Sequence, residues 1–464
     1  MASADSETFP DEATPLLDAA AKHEEIYKRF KPARKRVILG IVSFFVSGIF
    51  VPSIPQISRD LNSTPSTVSL AVSISVLALA LGSLFWARYS RFYGRRPIYL
   101  VGSPLLLVGS LGVATSQSIT ELMIWRFVQA IGASPGQAVG AGVIADIYKL
   151  EERGQAMGIF FAAILLGPTT APLVGGIAAH YSSWRIMQAA LGGIGCLVWL
   201  LTLFILPETY HPGERGVDKA DPTTLSKWRP VVLNPFDVLW ILRSPNIWAV
   251  LLLSFFALMT DYVLLVPLAY TIGAKYGITN EALVGACFLP SGLGNMVAAP
   301  FAGRLSDMIV KGSRKARGGA WYPEDRLRIT FVGGLVLVPL GILLSGLITH
   351  YIDGRLGLML NLICLFGGGI GLEFVLGPSA AYIVDLLHSR SAEAMAATNG
   401  VRALLMAIAI SGILPSIEKY GLVATNTGSA ISAWVGCGLI WATIRYGDYL
   451  RGLVDVGYST IENN

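Results

Sequence analysis

The chain has 464 residues, of which 53% are hydrophobic and only 14% are charged, and its mean hydropathy is +0.59. Ordinary soluble domains carry about 25% charged residues, so the composition excludes that class and indicates an integral membrane protein. The formal net charge of +5 requires no nucleic-acid partner, because the basic residues are distributed as a membrane topology demands.

Twelve apolar segments recur along the chain, and each is long enough to cross about 30 Å of hydrocarbon as a helix of roughly 20 residues. A spanning helix satisfies its own backbone hydrogen bonds in lipid, so these segments predict an all-α integral membrane fold with twelve transmembrane helices. The segments lie near residues 37–57, 68–88, 97–116, 120–146, 154–176, 184–206, 247–271, 281–304, 328–349, 354–384, 393–417 and 427–445.

Polar segments divide these spans into two sets. Residues 1–36 form a polar tail that we expect to be mostly disordered. Residues 207–246 are the longest polar interruption, contain six prolines and separate the spans six and six. We therefore predict two six-helix bundles, residues 37–206 and 247–445, related by pseudo-two-fold symmetry. A cytoplasmic linker joins them, and a tail of residues 446–464 follows the second.

Lysines and arginines are unequally distributed between the two sides of the predicted bundle. Of the 35 basic residues, 28 lie in the tails and in every second connecting segment, five lie in the alternate loops, and Arg126 and Arg402 lie within spans. Cytoplasmic segments retain positive charge. Both termini are therefore predicted to be cytoplasmic, which agrees with an even number of spans.

The two bundles carry similar loops after their second spans. The first loop contains Arg91 and the run Gly94, Arg95, Arg96, and the second contains Gly303 and Asp307 followed by a basic cluster. These loops resemble the signature of the major facilitator superfamily. Charged loops of this kind make breakable contacts between helix ends that part as two bundles rock.

Further motifs narrow this resemblance, which covers residues 36 to about 450. Arg126 begins a run in span 4 that is similar to the superfamily's Arg-x-x-Gln-Gly motif. Residues 167–176 resemble the antiporter motif, in which glycines allow close helix approach and prolines allow bending. Its characteristic residues here are Gly167, Pro168, Pro172, Gly175 and Gly176. Residues 207–209 and 323–327 are similar to the fungal drug:proton antiporter group with twelve spans.

The first-half loop departs from the superfamily pattern at one position. Arg91 stands where the family has an aspartate, so the residue that usually locks this loop is replaced. Two compensations are open: another acid, such as Asp146 or Glu151, pairs in this loop, or Asp307 in the second half carries more of the lock.

Two acids lie within predicted spans and are the main candidates for a functional site. Glu373 follows a glycine cluster, residues 367–371, that we expect to let the helix open, and Asp261 lies near the middle of span 7. An ionised carboxylate at the bilayer centre costs roughly 2.5 to 3.5 kcal/mol, so such residues usually serve function. The alternatives are a structural hydrogen bond to a neighbouring helix for Glu373 and a salt bridge to Arg402 for Asp261.

Three other polar residues complete the candidate site. The resemblance implies a part for Arg126 in proton coupling, and the alternative is an arginine that snorkels to the membrane surface. Asn295 is a candidate hydrogen-bond donor to substrate, and its alternative role is contact between helices. Arg402 and Arg126 would pair with the substrate if it were an anion.

These residues predict a secondary active transporter that exports a small organic compound, such as a drug or secondary metabolite, in exchange for protons. A carboxylate that alternates between its protonated and ionised forms couples the two movements. We expect the proton gradient to supply the energy, with no cofactor, and a monomer in the lipid bilayer. The alternatives are an exporter or facilitator of an organic acid and, less favoured, a non-transporting sensor.

An enzyme is not predicted, because none of the five histidines lies in mid-span or in metal-ligand spacing. The sequon at Asn62, in a short exoplasmic loop, is a candidate glycosylation site. The segment from Glu12 to Leu17 resembles the acidic dileucine signal of vacuolar membrane proteins. The family resemblance favours the plasma membrane, and the vacuolar membrane is the alternative location.

Overall fold

The computed structural model describes residues 29–42, 53–148, 160, 167, 169–178, 180–211, 213, 215–219, 234, 237–278, 280–318, 322–387 and 391–454. Within these ranges the chain is helical or irregular and contains no strand, in agreement with the predicted all-α class. The dileucine-like segment, Glu151, Pro168 and parts of the tails and linker lie outside the described residues.

The helices of the first half precede residue 237. They are α1 (Pro32–Val42), α2 (Ile54–Asp60), α3 (Pro65–Tyr93), α4 (Arg95–Thr115), α5 (Ile119–Ile147), α6 (Thr169–Ala178), α7 (Trp184–Phe204) and the single turn α8 (Gly216–Lys219).

The second half begins with a 3₁₀ segment. Its helices are α9 (Pro245–Leu265), α10 (Glu281–Ala286), α11 (Leu289–Ala316), α12 (Val338–Tyr351), α13 (Gly354–Leu386), α14 (Ser391–Tyr420) and α15 (Leu422–Leu453). Its 3₁₀ segments are Asp237–Arg243 and Pro323–Ile329, and its π segments are Ala269–Gly273 and Val332–Leu337.

Nine helices in the described part of the chain are long and apolar enough to cross a membrane. They coincide with the predicted second, third, sixth and seventh to twelfth spans. The 29-residue helix α5 lies at the fourth predicted span, and the shorter apolar helix α6 lies at the fifth. The first predicted span overlaps α1 and α2, with residues 43–52 outside the described ranges.

Local sequence fixes where several spans begin, because Ser, Thr and Asn side chains accept hydrogen bonds from the first turn of a helix. Thr64 Oγ1 accepts from the Thr67 N–H at 3.2 Å before α3, and Ser118 Oγ accepts from the Glu121 N–H at 3.3 Å before α5. The candidate sequon lies in the first of these turns. Asn62 is exposed there with a φ of +47°, and the hydroxyl of its sequon threonine is the helix cap.

Helices α3 and α14 form an antiparallel seam between the halves. Ser73 Oγ donates a hydrogen bond to the carbonyl oxygen of Ala407. Three turns nearer the end of α3, Leu84 Cγ would lie 2.9 Å from a Cβ on Gly400, so the two helices touch closely there. This seam holds the halves together along most of its length.

Three clusters of buried apolar side chains form the core. One lies where α10 begins, here called the Glu281 end, and it contains residues of both halves, such as Val68, Val263 and Ile413. The other two lie toward the opposite end, here called the Gly94 end, where α3 meets α4. One of them is built from the second half and the other from the first half. Among the described residues, a common apolar cluster therefore joins the halves at the Glu281 end and not at the Gly94 end.

Candidate functional site

The carboxylate of Asp261 is held between two helices of the second half. It lies one turn before the end of α9, and Ser291 Oγ on α11 donates a hydrogen bond to Asp261 Oδ1 at 2.9 Å. No ion pair joins Asp261 to Arg402 in the described part of the chain; the structure gives the acid a serine donor instead of the salt bridge considered from sequence. Ser291 was not singled out from the sequence, although it lies among the prolines and glycines that begin α11.

Helices α11 and α13 touch backbone to backbone beside this hydrogen bond. A Cβ on Gly369 would lie 2.1 Å from the Ser291 carbonyl oxygen, and one on Gly294 would lie 2.2 Å from the Phe366 carbonyl oxygen. The glycine cluster was expected to let the helix open. In this conformation α13 runs unbroken from Gly354 to Leu386, and two glycines of the cluster, Gly369 and Gly371, pack closely against neighbouring segments.

This contact aligns two further polar groups. Glu373 follows Gly369 by one helical turn, and Asn295 follows Ser291 by one turn, so both lie on the same side of the close contact. Glu373 is half-buried, and no hydrogen bond from the described residues reaches its carboxylate. The oxygen Asn295 Oδ1 is buried without a hydrogen-bond donor in the described part of the protein. A buried acceptor without a donor is costly, and Asn295 Oδ1 is one of several such atoms among the described residues.

Arg402 lies on α14 next to the helix that carries Asp261. Its Nη2 donates to Asn399 Oδ1 at 2.9 Å. The candidate residues of the second half therefore lie on four helices, α9, α11, α13 and α14.

Arg126 belongs to a separate polar network in the first half. Its Nη1 donates to Gln129 Oε1 at 2.6 Å, and Gln129 Nε2 donates to Ser110 Oγ at 2.8 Å and to Gln188 Oε1 at 2.9 Å. Because Gln129 lies further from the start of α5 than Arg126 does, the guanidinium points toward the helix interior and does not snorkel to the nearer end. The network joins α4, α5 and α7.

At the Gly94 end, the carboxylate of Glu208 caps helix α4. Its Oε1 accepts from the Arg95 N–H at 2.9 Å and its Oε2 accepts from the Arg96 N–H at 3.3 Å. Carboxylates at a helix N-terminus satisfy free N–H groups and complement the helix dipole. Gly94 has a φ of +103°, and a Cβ there would lie 2.4 Å from Glu208 Oε2. The sequence motif at residues 207–209 gave no sign of this partner.

Asp146 is the acid that pairs within the first-half loop. Arg95 Nε lies 2.9 Å from Asp146 Oδ2, and Arg95 Nη1 donates to Ser90 Oγ at 2.9 Å. Arg91 forms an ion pair with Glu393 at the start of α14, across the two halves. Of the two compensations considered for Arg91, pairing by Asp146 is present, and the arginine itself gains a partner on the opposite half.

The second-half loop keeps its charged contacts within its own half. Arg326 Nη1 lies 2.8 Å from Asp307 Oδ1, and the same guanidinium pairs with Asp385 near the end of α13. Asp307 therefore ties α11 to its own bundle in this conformation. Gly303 lies inside α11, where an added Cβ would meet open space.

The antiporter-like motif lies at the contact between the halves. A Cβ on Gly176 of α6 would lie 2.2 Å from the Glu281 carbonyl oxygen, and one on Gly285 would lie 2.4 Å from the Pro172 carbonyl oxygen. Gly167 and Gly175 are buried in helical conformation. Small residues thus let α6 of the first half touch α10 of the second half, which seals the Glu281 end.

Together these features define a multi-pass membrane protein with a polar site between helices and a seal between two halves. The sequence model of the Major Facilitator Superfamily matches residues 37–411, and the chain belongs to this superfamily. It is therefore a membrane transporter and not an enzyme.

Several proteins are similar to this chain along most of its length. It is 29% identical over 450 residues to the efflux pump radE of Floropilus chiversii, a match covering 89% of this chain and 80% of the relative. It is 24% identical over 520 residues to the MFS antiporter QDR3 of Candida albicans, covering 83% and 74%. The solved xylose transporter XylE from E. coli has a TM-score of 0.64 at 14% identity, covering 88% of this chain and 95% of that one. That likeness shows the fold alone.

Proposed function

We propose that this transporter exports a small organic compound, such as a drug or secondary metabolite, in exchange for protons. The observation that carries the proposal is the placement of Asp261 and Glu373 on helices α9 and α13, both of which contact Ser291 of α11: Ser291 Oγ donates to Asp261 at 2.9 Å, and a Cβ on Gly369, one turn before Glu373, would lie 2.1 Å from the Ser291 carbonyl oxygen. Two acids within one group of membrane-spanning helices supply a proton carrier and a substrate ligand. The names of the relatives, an efflux pump and an antiporter, support the same direction of transport.

The two acids differ in their partners, and the difference suggests separate roles. The hydrogen bond from Ser291 stabilises an ionised Asp261, which suits the binding of a donor group on substrate. Glu373 has no donor among the described residues, and an ionised carboxylate in that setting is costly. We therefore assign proton carriage to Glu373. Substrate and proton then compete for the same small region, and their alternation is antiport.

The proposal includes a topology of twelve transmembrane helices in two six-helix bundles with both termini cytoplasmic. In this topology the Gly94 end faces the cytoplasm and the Glu281 end faces away from it. The common apolar cluster and the glycine contacts of α6 then close the outer side in this conformation, and the ion pair of Arg91 with Glu393 joins the halves at the inner side. Rocking of the bundles about the α3–α14 seam exposes the site to each side in turn. The protein works as a monomer in the bilayer, driven by the proton gradient without a cofactor.

The test is efflux from reconstituted vesicles under an imposed pH gradient. A cationic drug, a polyamine and a dicarboxylate serve as probes, and the wild type is compared with Glu373→Gln and Asp261→Asn. We expect gradient-driven efflux of at least one probe. Glu373→Gln should abolish the dependence on the gradient, because the amide cannot take up or release a proton, while Asp261→Asn should weaken substrate binding.

A matched control is Glu418→Gln, which neutralises an exposed acid at the end of α14 and should leave transport unchanged. Transport that ignores the gradient and survives both site substitutions would contradict the proposal. The protein would then be a facilitator whose acids at this site are structural.

A second candidate function is export of an organic acid. The observation in its favour is Arg402, whose described hydrogen bond goes to the neutral amide of Asn399, which leaves its positive charge to be balanced by a ligand. In that case the dicarboxylate is the probe exported, and Arg402→Gln abolishes its efflux. Retention of dicarboxylate efflux by Arg402→Gln would exclude this role.

We propose the plasma membrane as the location, with the vacuolar membrane as the alternative. Replacing Leu16 and Leu17 by Ala in a fluorescent fusion of the full chain tests the dileucine-like segment. Movement of vacuolar fluorescence to the cell surface would establish that the segment is a targeting signal. An unchanged distribution would dismiss it.

A further inference from the structure

Three side chains from opposite halves meet at the Glu281 end. Arg59 Nη2 on α2 lies 3.2 Å from Glu281 Oε1, and His180 Nδ1 lies 3.1 Å from Glu281 Oε2. Each carboxylate oxygen of this second-half residue thus has its own first-half partner. The residues are far apart in sequence, 222 positions for Arg59 and 101 for His180, so no local pattern revealed the cluster.

The orientation of His180 is fixed from its other side. Asn280 Oδ1 accepts hydrogen bonds from the Ala282 N–H at 2.8 Å and the Leu283 N–H at 3.3 Å, capping α10. Its amide nitrogen Nδ2 therefore faces His180 Nε2, at 3.4 Å. An amide NH₂ only donates, so Nε2 is the acceptor and Nδ1 carries the proton that is given to Glu281.

The backbone of Glu281 is part of the seal as well. Its carbonyl oxygen lies against Gly176, where a Cβ would approach to 2.2 Å. Its side chain is only 19% exposed, although Arg59 is 70% exposed. Separation of the two halves at this end therefore has to break the glycine contact, the ion pair with Arg59 and the hydrogen bond from His180.

We propose that Glu281, with Arg59 and His180, forms a latch that keeps the Glu281 end closed, and that its release is a required step when this end opens. The proposal rests on the alternating access proposed above. It adds a specific device to it, since each carboxylate oxygen of Glu281 has a charged or polar side-chain partner on the opposite half. The Glu281 carboxylate contacts both partners, so its displacement releases both contacts at once.

The expected effect of breaking the latch is modest, because exposed ion pairs contribute little. We expect Glu281→Gln to shift the ratio of closed to open molecules by roughly threefold to tenfold. Arg59→Gln and His180→Gln should each give a smaller shift. Neither should add to Glu281→Gln, because each removes a contact that this substitution has already weakened.

The reporter is Cys287, a buried residue of the apolar cluster at this end. In the full chain with Cys196, Cys364 and Cys437 replaced by serine, we would measure the rate at which a small maleimide labels Cys287 in the purified, detergent-solubilised protein. We expect roughly threefold to tenfold faster labelling in Glu281→Gln. The double substitution Arg59→Glu with Glu281→Arg should return the rate toward that of the parent, because it restores the pair with reversed charges.

The matched control is Lys275→Gln. It breaks a charged contact at the same end, 2.6 Å between Lys275 Nζ and Asp353 Oδ1, but both partners belong to the second half, so labelling should not change. Equal labelling rates for Glu281→Gln and the parent would overturn the latch. So would faster labelling in Lys275→Gln of the same size. Labelling needs neither substrate nor a proton gradient, so a failure of the efflux assay would leave the latch standing.

Discussion

Replacing Gly94 by alanine should destabilise the protein far more than the same change at Gly303, the motif glycine of the second-half loop. Gly94 has a φ of +103° and a ψ of 178°, a conformation that costs a residue with a Cβ about 1 to 3 kcal/mol. The added Cβ would also lie 2.4 Å from Glu208 Oε2, which displaces the carboxylate from the two N–H groups of α4. Loss of hydrogen bonds to a charged group costs about 1.5 to 3 kcal/mol.

The total for Gly94→Ala is therefore roughly 3 to 5 kcal/mol. The assay is thermal unfolding in detergent, followed by the monomer peak that survives heating in size-exclusion chromatography. Gly303→Ala is the matched control. Gly303 lies inside α11 with open space around an added Cβ, so alanine should be neutral or stabilise by up to about 1 kcal/mol. Equal melting temperatures for the two variants would refute the reasoning, and so would a Gly94→Ala protein as stable as wild type.

Two further substitutions test contacts between helices. Arg91→Asp restores the residue typical of the superfamily but places an acid beside Glu393, so we expect a loss of up to about 1 kcal/mol in stability. Adding Glu393→Arg should recover this stability. An Arg91→Asp protein with unchanged stability and transport would show that the pair has no role. Gly369→Ala would drive a Cβ to 2.1 Å from the Ser291 carbonyl oxygen and should abolish efflux by forcing α11 and α13 apart. Gly367→Ala, where nothing lies within 4 Å of the added atom, should transport normally, and similar efflux from both glycine variants would contradict the packing role.

The charged loops show how far motif resemblance carried the interpretation. The resemblance pointed to both Gly94 and Gly303 as gating residues, but the structure gives the two glycines different surroundings. Gly94 is required by a positive φ and by a carboxylate that caps the next helix, whereas Gly303 is an ordinary helical position. The difference was invisible in sequence, because Glu208 lies 113 positions from Arg95, whose N–H it accepts.

For the two intramembrane acids as well, the sequence predicted the residues but not their surroundings. The cost of a charge in lipid was enough to single out Glu373 and Asp261 from the sequence, since that cost depends on residue type and on the apolar run around it. Their partners were not predicted. Ser291 was overlooked, and the suggested salt bridge between Asp261 and Arg402 is not formed. Gly369, one turn before Glu373, packs against α11 within an unbroken helix.

The sequence by itself determined the class of protein, the positions of nine membrane-crossing helices in the described chain and the superfamily. These follow from local rules: apolar length matches the bilayer, and backbone hydrogen bonds must be satisfied within each span. The tertiary structure alone decided which polar groups meet, such as Arg59 and His180 with Glu281, or Arg91 with Glu393. Such partners are chosen by the packing of helices that are remote in sequence, where a shift of one turn, about 5.4 Å, replaces one neighbour by another.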